Sequence, residues 1–276
     1  MNTRATINPE LREWILASHR AGQAPQTVVE LMRTHGYDPR QSRSIVAEVL
    51  KVPLATLLAD TDAPLVRRAR HPEAPLAMAG DRAVRVSASL DKPTLRVLDG
   101  LLTGEECDEL IALSRPRLAR ALTIDPSGAH QVDERRTNVG MFFQLGELPL
   151  VAQLEQRIAE LLDIPVSHGE GLQILHYLPG QEYKPHFDWF DPAQAGYATL
   201  TRRGGQRIAS VVMYLNTPEA GGGTAFPAAG LTVTALRGSA VYFAYEGGDL
   251  GSLHAGLPVL RGEKWIATKW LRERPY

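Results

Sequence analysis

Apolar residues recur every three or four positions over residues 8–52, which is the spacing of amphipathic helices. Pro9, Pro25 and Pro39 each begin one of these segments, and proline favours the first turn of a helix. We therefore predict three short helices and a small helical N-terminal region over residues 1–52. We interpret this region as a docking or packing module, with a DNA-contacting helix-turn-helix as the alternative.

A different pattern follows over residues 53–87, which are rich in Ala, Pro and Arg and have no regular apolar period. Proline and short polar runs of this kind interrupt both helices and strands. We predict that this segment is a surface linker. It would join the N-terminal region to a domain over residues 88–276.

The first part of that domain combines a strand with two helices. Apolar residues around Leu95 predict the strand, and Thr103 with Glu106 forms the capping box that typically begins a helix. A second helix is predicted from Pro149, because the apolar residues after it recur at helical spacing.

After residue 170 the pattern changes to short apolar strands separated by Gly and Pro turns. Strands with this spacing are typical of a sandwich or jelly roll. The predicted fold class is therefore α+β, with supporting helices followed by an all-β core. The strand candidates are LQILHYL, ASVVMYLN, LTVTAL, SAVYFAY and KWIATKWL.

Charge and cysteine content narrow the functional classes. The 30 Lys and Arg residues against 31 Asp and Glu residues give a net charge of −1, so the overall charge predicts no nucleic-acid partner. Apolar runs are too short to span a membrane, and the N-terminus lacks the apolar core of a signal peptide. A single cysteine, Cys107, cannot form an intramolecular disulfide, and we expect a cytoplasmic protein.

The segment YKPHFD contains a histidine and an aspartate two positions apart, His186 and Asp188. Alternate residues of a strand point to the same side, so these side chains can reach one point. His254 follows a predicted strand that a jelly roll can return to this pair. Two histidines and one carboxylate are typical of non-haem Fe(II) oxygenases, because they leave adjacent coordination positions open. We therefore predict that these three residues are the catalytic metal ligands.

Lys264 lies ten residues after His254, at the start of the predicted strand KWIATKWL. The open metal positions suit two oxygen atoms of 2-oxoglutarate and one O₂ molecule. The far carboxylate of this co-substrate then requires a cation at a fixed distance. A lysine on its long side chain can provide that charge, and we predict this role for Lys264.

Each of these features also has a plainer interpretation. An isolated HxD arises by chance, and a lysine at the start of a strand is usually solvated. One functional alternative is a zinc hydrolase, with Glu182 or Asp191 as candidate general base. Another is a metal-binding sensor without turnover. The occurrence of the HxD, the later histidine and the lysine in one predicted β-half favours the oxygenase.

From about Lys92 to the C-terminus, the sequence resembles the catalytic domain of prolyl 4-hydroxylases, a family of 2-oxoglutarate oxygenases. The resemblance implies a double-stranded β-helix core. It also implies Fe(II), 2-oxoglutarate and O₂ as cofactor and co-substrates, with ascorbate as a further cofactor. The matching stretches are LLTGEECDELIALSRP, RRTNVGMFF, LQILHYLPGQEYKPHFDWFD, RIASVVMYLNTPEAGGGTAFP and HAGLPVLRGEKWIATKWLRE.

The resemblance implies the same three metal ligands and the same role for Lys264, and it assigns further residues. Tyr177 and Tyr214 match positions that hydrogen-bond the co-substrate. Tyr183 and Arg207 match positions that face the substrate. Residues 191–206 would form a loop that closes over it, and their Gly and polar content suits a lid.

The sequence departs from the family pattern in two places. The N-terminal helices do not resemble the peptide-binding or disulfide-linked parts of the animal collagen enzymes. The C-terminal motif often reads KWLHE in the family but is KWLRE here, with Arg272. We expect a prolyl residue of a protein or peptide as the substrate, with a free amino acid or small metabolite as the alternative.

Overall fold

The computed structural model describes residues 7–20, 23, 25–34, 37, 39–54, 57, 72–120, 122–124, 130–132, 137–245 and 250–276. The chain divides into two units, Met1–Leu65 and Val66–Tyr276. Among the described residues, no helix is long and apolar enough to cross a membrane. Each unit has its own apolar core.

The described part of the N-terminal unit contains three helices: α1 (Pro9–Arg20), α2 (Pro25–Thr34) and α3 (Pro39–Leu50). The side chain of Asn8 caps α1 by accepting a hydrogen bond from the amide of Glu10 at 2.9 Å. The prediction of three proline-initiated helices is confirmed. Their shared core contains Ile15, Val28, Val29, Met32, Val46, Ala47, Val49 and Leu57.

The described part of the C-terminal unit contains the helices α4 (Gly104–Ser114), α5 (Pro149–Leu161) and α6 (Tyr197–Thr201). The predicted helices after Thr103 and from Pro149 are thus confirmed. The strands are β1 (Leu76–Ala79), β2 (Arg82–Leu90), β3 (Leu95–Asp99), β4 (Ala119–Arg120), β5 (Leu122–Ile124), β6 (His130–Val132), β7 (Val139–Phe143), β8 (Leu172–Tyr177), β9 (Tyr183–His186), β10 (Arg207–Tyr214), β11 (Ala220–Gly221), β12 (Thr224–Phe226), β13 (Leu231–Val233), β14 (Ala240–Ala244), β15 (His254–Gly256), β16 (Val259–Arg261) and β17 (Lys264–Arg272).

These strands form two main antiparallel sheets. Nine strands make a large sheet in the order β1-β2-β3-β14-β10-β17-β8-β7-β4, and four make a smaller sheet in the order β13-β12-β15-β9. Apolar side chains from both sheets share one buried cluster, so the sheets pack face to face. The predicted jelly roll is confirmed. Two further pairs, β11-β16 and β5-β6, complete the described strands.

The central strands β10 and β17 of the large sheet are buried on both faces. On β10, Val211 and Met213 belong to the apolar cluster that contains helices α4 and α5, whereas Val212 and Tyr214 belong to the cluster shared with the smaller sheet. Burial on both faces explains why these strands are continuous apolar runs rather than alternating ones. The same strand therefore supports the fold with one face and lines the space between the sheets with the other.

The predicted capping box at the start of α4 is present. The Thr103 hydroxyl accepts a hydrogen bond from the Glu106 amide at 3.0 Å, and the Glu106 carboxylate accepts one from the Thr103 amide at 2.8 Å. The same carboxylate accepts a hydrogen bond from the buried guanidinium of Arg157 at 2.8 Å. The cap therefore also ties α4 to α5.

The prediction of a linker over residues 53–87 is wrong for the last part of that range. β1 and β2 form an antiparallel hairpin there, and β2 pairs with β3 at the edge of the large sheet. Leu76 and Met78 of β1 are 60% and 67% exposed, so this strand has apolar residues on its outer face. It consequently lacks the alternation of apolar and polar residues that identifies a strand from sequence. The β-sheet domain begins before residue 88.

A buried ion pair joins α5 to β17. Nζ of Lys269 lies 2.6 Å from Oε1 of Glu155, and the two side chains are 2% and 1% exposed. The other carboxylate oxygen of Glu155 accepts a hydrogen bond from the Gly146 amide at 2.9 Å. Burial lowers the pKa of Lys269, although the charge of Glu155 opposes this effect. Removing one partner would leave the other charge buried without compensation.

We expect Lys269→Met to lower the free energy of unfolding by about 3–5 kcal/mol, because it leaves Glu155 buried without its partner. The double variant Glu155→Gln/Lys269→Met removes both charges and should recover most of this loss. Urea denaturation followed by circular dichroism measures both effects. As a control, Glu219→Gln breaks an exposed pair with Arg261 and should cost less than about 1 kcal/mol. A Lys269→Met variant as stable as this control would contradict the prediction.

Candidate active site

Two histidines face each other across adjacent strands of the smaller sheet. β9 pairs with β15 in a register that sets His186 opposite His254, and their ring centroids are 4.3 Å apart. Tyr183, which begins β9, stacks on His186 with ring centroids 3.6 Å apart. The strand pairing thus brings together residues that are far apart in the sequence.

Asp188 completes a set of three side chains that could hold a metal ion. Its Oδ1 lies 3.7 Å from Nε2 of His186, and its Oδ2 lies 3.6 Å from Nε2 of His254. The ligand atoms of the three residues all lie within 4.8 Å of one another. Asp188 and His254 are buried and His186 is half-buried. Two imidazole nitrogens and one carboxylate are the donors found in non-haem Fe(II) sites.

Each imidazole makes a hydrogen bond through its Nδ1 atom. Nδ1 of His186 lies 2.8 Å from the carbonyl oxygen of Lys184, and Nδ1 of His254 lies 3.1 Å from that of Ser252. Because a carbonyl oxygen only accepts, each Nδ1 carries a proton, and in the neutral form of either ring the lone pair is on Nε2. These lone pairs face the Asp188 carboxylate, an arrangement that a cation between them stabilises. The residues present therefore fit a divalent metal.

Hydrogen bonds from the large sheet orient the carboxylate of Asp188. Oγ of Ser210, on β10, lies 2.5 Å from Oδ2 of Asp188, and the hydroxyl of Tyr245 contacts the same Oγ. A carboxylate only accepts and serine has one hydroxyl proton, so Ser210 donates to Asp188 and Tyr245 donates to Ser210. Burial raises the pKa of Tyr245, and the charge of Asp188 adds to this effect, so the donor stays protonated.

Asp188 stays ionised although it is buried. Burial alone would raise the pKa of its carboxyl group, but positive charge on the His254 and His186 rings in their protonated form, and on the guanidinium of Arg207, lowers it. The hydrogen bond from Ser210 acts in the same direction. The pKa of Asp188 therefore lies below its ordinary range, and the carboxylate is available as a charged ligand.

A buried lysine lies close to the strand that carries His254. Lys264 begins β17 and is 1% exposed, and its Nζ lies 5.3 Å from the ring centroid of Tyr177 and 6.0 Å from that of Tyr214. The same Nζ lies 3.9 Å from where a β-carbon would stand on Gly256, two residues after His254. Burial lowers the pKa of Lys264 to about 8. No carboxylate of the described residues forms an ion pair with this ammonium.

Arg207 is fixed beside the metal-ligating aspartate. Its Nε and Nη2 donate hydrogen bonds to the Glu170 carboxylate at 2.6 and 2.9 Å, and its Nη1 donates to the backbone carbonyl of Asp188 at 3.2 Å. The guanidinium carbon lies 3.9 Å from the ring centroid of Trp270 and 4.9 Å from that of Phe190. These three hydrogen bonds use three of the five N–H donors of an arginine and leave two for a ligand.

Three residues with evident roles at this site were missed by the sequence-based prediction: Glu170, Ser210 and Tyr245. Ser210 shares one face of β10 with Tyr214, because alternate residues of a strand point to the same side. A polar residue on the inward face of a predicted buried strand could therefore have indicated that Ser210 belongs to the site. For Glu170 the sequence offered none, since its partner Arg207 comes from another strand.

Comparison with known proteins identifies the family. Residues 172–272 match the family model of the 2OG-Fe(II) oxygenase superfamily. The chain is 39% identical over 209 residues to "Probable prolyl 4-hydroxylase 10" of Arabidopsis thaliana, covering 67% of this chain and 71% of that protein. It belongs to the prolyl 4-hydroxylase family of 2OG-Fe(II) oxygenases. "Probable prolyl 4-hydroxylase 3" of the same plant is 37% identical to this oxygenase, again with 67% and 71% of the two chains covered.

A solved structure supports the same relationship. The viral collagen prolyl hydroxylase of Paramecium bursaria Chlorella virus-1, in a 2OG complex, is 28% identical to the oxygenase with a TM-score of 0.51. The match covers 64% of this chain and 95% of the viral one. The protein is thus a 2-oxoglutarate-dependent dioxygenase of the prolyl 4-hydroxylase type, with Fe(II) and O₂ as the family's further requirements. Membership of this family argues against the two functional alternatives raised by the sequence, a zinc hydrolase and a metal-binding sensor without turnover.

We expect Ser210→Ala to weaken the binding of Mn(II), a redox-stable probe for the Fe(II) site, by about 10- to 100-fold. The variant loses the hydrogen bond that orients Asp188. Tyr245→Phe keeps the Ser210 hydroxyl and should have a smaller effect. Isothermal titration calorimetry measures both affinities. Ser239→Ala, which removes a hydroxyl that donates to the carbonyl of Leu236, is the matched control and should bind Mn(II) normally. Unchanged binding by Ser210→Ala would contradict this role.

Proposed function

We propose that this enzyme hydroxylates prolyl residues of a protein or peptide, with release of succinate and CO₂ from 2-oxoglutarate. One observation carries the proposal: a His-Asp-His donor set and a buried ammonium without a carboxylate partner among the described residues occur in one jelly-roll core. The His-Asp-His donor set suits Fe(II), and the buried ammonium suits one carboxylate of a dicarboxylate co-substrate. The prolyl hydroxylases among the relatives support proline as the target.

His186, Asp188 and His254 are the proposed Fe(II) ligands. When bound, Fe(II) supplies the oxidative chemistry that couples decarboxylation of 2-oxoglutarate to hydroxylation of the substrate. The chain's own part is to prepare the donors. The carbonyls of Lys184 and Ser252 fix the protons of the two imidazoles on Nδ1.

Lys264 is the proposed partner of the 5-carboxylate of 2-oxoglutarate. An ammonium this deeply buried favours an anionic ligand, since burial alone already lowers its pKa to about 8. Tyr177 and Tyr214 flank it with their rings and are proposed to contact the co-substrate. The Tyr214 hydroxyl donates to Oγ1 of Thr224 at 2.8 Å, which holds this ring in place.

Tyr183 and Arg207 are the proposed substrate-facing residues. Tyr183 borders the metal site through its stacking on His186, and an aromatic ring suits contact with a prolyl ring. Arg207 has two N–H donors left for a peptide carbonyl. Both features also suit a free amino acid or small metabolite, which is the alternative substrate class.

Ascorbate is proposed as a reductant on the family resemblance alone. A cytoplasmic location is proposed because the single cysteine, Cys107, is buried and forms no disulfide. The three-helix N-terminal unit is proposed as a docking or packing module, and no nucleic-acid or membrane partner is proposed.

The prolyl hydroxylase activity is tested with a panel of proline-rich peptides. After incubation with the enzyme, Fe(II), 2-oxoglutarate and air, we expect a mass gain of one oxygen atom on proline, measured by mass spectrometry. Asp188→Ala should abolish this gain because it removes the charged metal ligand. Asp108→Ala, which removes an exposed carboxylate of α4, should retain it.

Two other outcomes have distinct meanings. Succinate formed without any oxygen on a peptide would favour the free amino acid or small metabolite as substrate. Full peptide hydroxylation by Asp188→Ala would contradict the proposed metal site.

We expect the KM for 2-oxoglutarate to rise as the pH increases above about 8, because Lys264 then loses the proton that makes it a cation. Far above this pKa the rise approaches about tenfold per pH unit for a single titrating group. Lys264→Arg retains the charge and should flatten the profile, whereas Lys264→Met should raise the KM at every pH. Initial rates of succinate formation from pH 6.5 to 9.5 provide the test.

Unfolding at high pH is not expected to cause this rise. The pKa of Lys264 is lowered on folding, so the folded protein loses this proton before the unfolded chain does. This residue therefore favours folding increasingly as the pH rises from about 8 towards about 10.4. A KM that stays constant from pH 7 to 9.5 would contradict the role of Lys264.

A further inference from the structure

We propose that Arg272 is a positioning residue that fastens residues 191–206, here called the lid segment, beside the metal site and thereby sets the affinity for the substrate. The proposal rests on the hydroxylase function above, because the effect on substrate affinity presupposes that function.

The two ends of the lid segment are held together by Gln206. Its Oε1 accepts a hydrogen bond from the amide of Phe190 at 2.9 Å, and its Nε2 donates to the carbonyl of Phe190 at 2.6 Å. The amide of Gln206 donates to Oε2 of Glu273 at 2.9 Å, and the amide of Glu273 donates to the carbonyl of Gln206 at 3.0 Å. The base of the segment is thus closed and attached to the chain beyond β17.

Arg272 holds the interior of the segment. Its Nη1 donates to the carbonyl of Gly205 at 2.7 Å, and its Nη2 donates to the carbonyl of Leu200 at 3.1 Å. Leu200 lies in the last turn of α6, where backbone carbonyls have no partner within the helix. The Arg272 side chain is 4% exposed, so these charge-assisted hydrogen bonds are protected from water.

The same guanidinium is connected to the residues that border the metal site. Nε of Arg272 lies 2.9 Å from Oε1 of Glu170, the carboxylate that also binds Arg207. Arg207 in turn donates to the backbone carbonyl of Asp188. The ring of Phe190 lies 4.9 Å from the guanidinium carbon of Arg207 and 5.0 Å from that of Arg272. One buried network therefore links the lid segment to the backbone of a proposed metal ligand.

Arginine is suited to this role because its planar guanidinium presents five N–H donors in several directions at once. Lysine has one nitrogen and histidine has two ring nitrogens. Neither can bond both lid carbonyls and also remain against Glu170. Without Arg272, we expect the lid segment to stay tethered at its base and at Gly204, whose carbonyl accepts a hydrogen bond from the Arg274 amide at 2.9 Å. It should loosen around Leu200, with Phe190 and Arg207 less well fixed.

Hydrogen exchange of the native-state enzyme tests the fastening directly. In Arg272→Gln, the amides of the lid segment should exchange at least about tenfold faster, the order expected from the loss of even one charge-assisted hydrogen bond. Exchange in β10 and β17 should be unchanged. Arg261→Gln, which breaks an exposed pair with Glu219, is the matched control and should leave the lid segment protected. Unchanged exchange of the lid segment in Arg272→Gln would overturn the proposal.

Steady-state kinetics then separate positioning from general destabilisation. Arg272→Gln should raise the KM for a hydroxylated peptide about tenfold, while the KM for 2-oxoglutarate moves by less than about twofold, because Lys264 does not contact this network. Arg272→Lys keeps a cation beside Glu170 and should give an intermediate KM. If Arg272→Gln does not fold, judged by its thermal melt, Arg272→Lys replaces it in both experiments. Equal increases in the two KM values would overturn the proposal.

The two hypotheses fail in different ways. If the native enzyme oxidises no peptide, the proposed prolyl hydroxylase function is wrong, and hydrogen exchange still decides whether Arg272 fastens the lid segment. If peptides are oxidised and the lid segment exchanges faster in Arg272→Gln without any change in peptide KM, the function stands and the positioning role is wrong.

Discussion

The antiparallel pairing of β9 with β15 is the constraint on which the site depends. It sets His186 opposite His254, and the backbone carbonyls near each histidine fix the proton on Nδ1. Both lone pairs and the Asp188 carboxylate then point into one small volume. The surrounding strands hold these three groups together, and a divalent cation placed between them could bind all three.

The large sheet supports this arrangement from the other side. β10 supplies Ser210 to the Asp188 carboxylate, and β17 supplies Lys264 at one end and Arg272 at the other. Because both strands are buried on both faces, their outward residues pack against α4 and α5 while their inward residues serve the site. The apolar packing that stabilises the sheet therefore also fixes the positions of the functional groups.

The sequence was sufficient for the elements whose pattern is local. The proline-initiated helices, the capping box at Thr103 and the central strands follow from spacing and residue type. The HxD motif contains two of the three residues that the structure brings together in the candidate donor set. Groups that act through tertiary pairing were harder to predict. Glu170 functions through Arg207 of another strand, and Tyr245 functions through Ser210. The hairpin of β1 and β2 was missed because Leu76 and Met78 expose apolar side chains, which removes the usual alternation.

The buried ammonium of Lys264 has a thermodynamic consequence for the whole protein. A charged group taken out of water without a carboxylate partner among the described residues makes the ligand-free state less stable than the fold would otherwise allow. A ligand whose carboxylate pairs with this ammonium removes that penalty. Part of the ligand's binding free energy therefore comes from removing a term that destabilises the ligand-free protein. The affinity for the co-substrate and the stability of the ligand-free enzyme are therefore opposed. A substitution that removes the cost of burying this ammonium should stabilise the ligand-free enzyme and weaken the binding of the co-substrate.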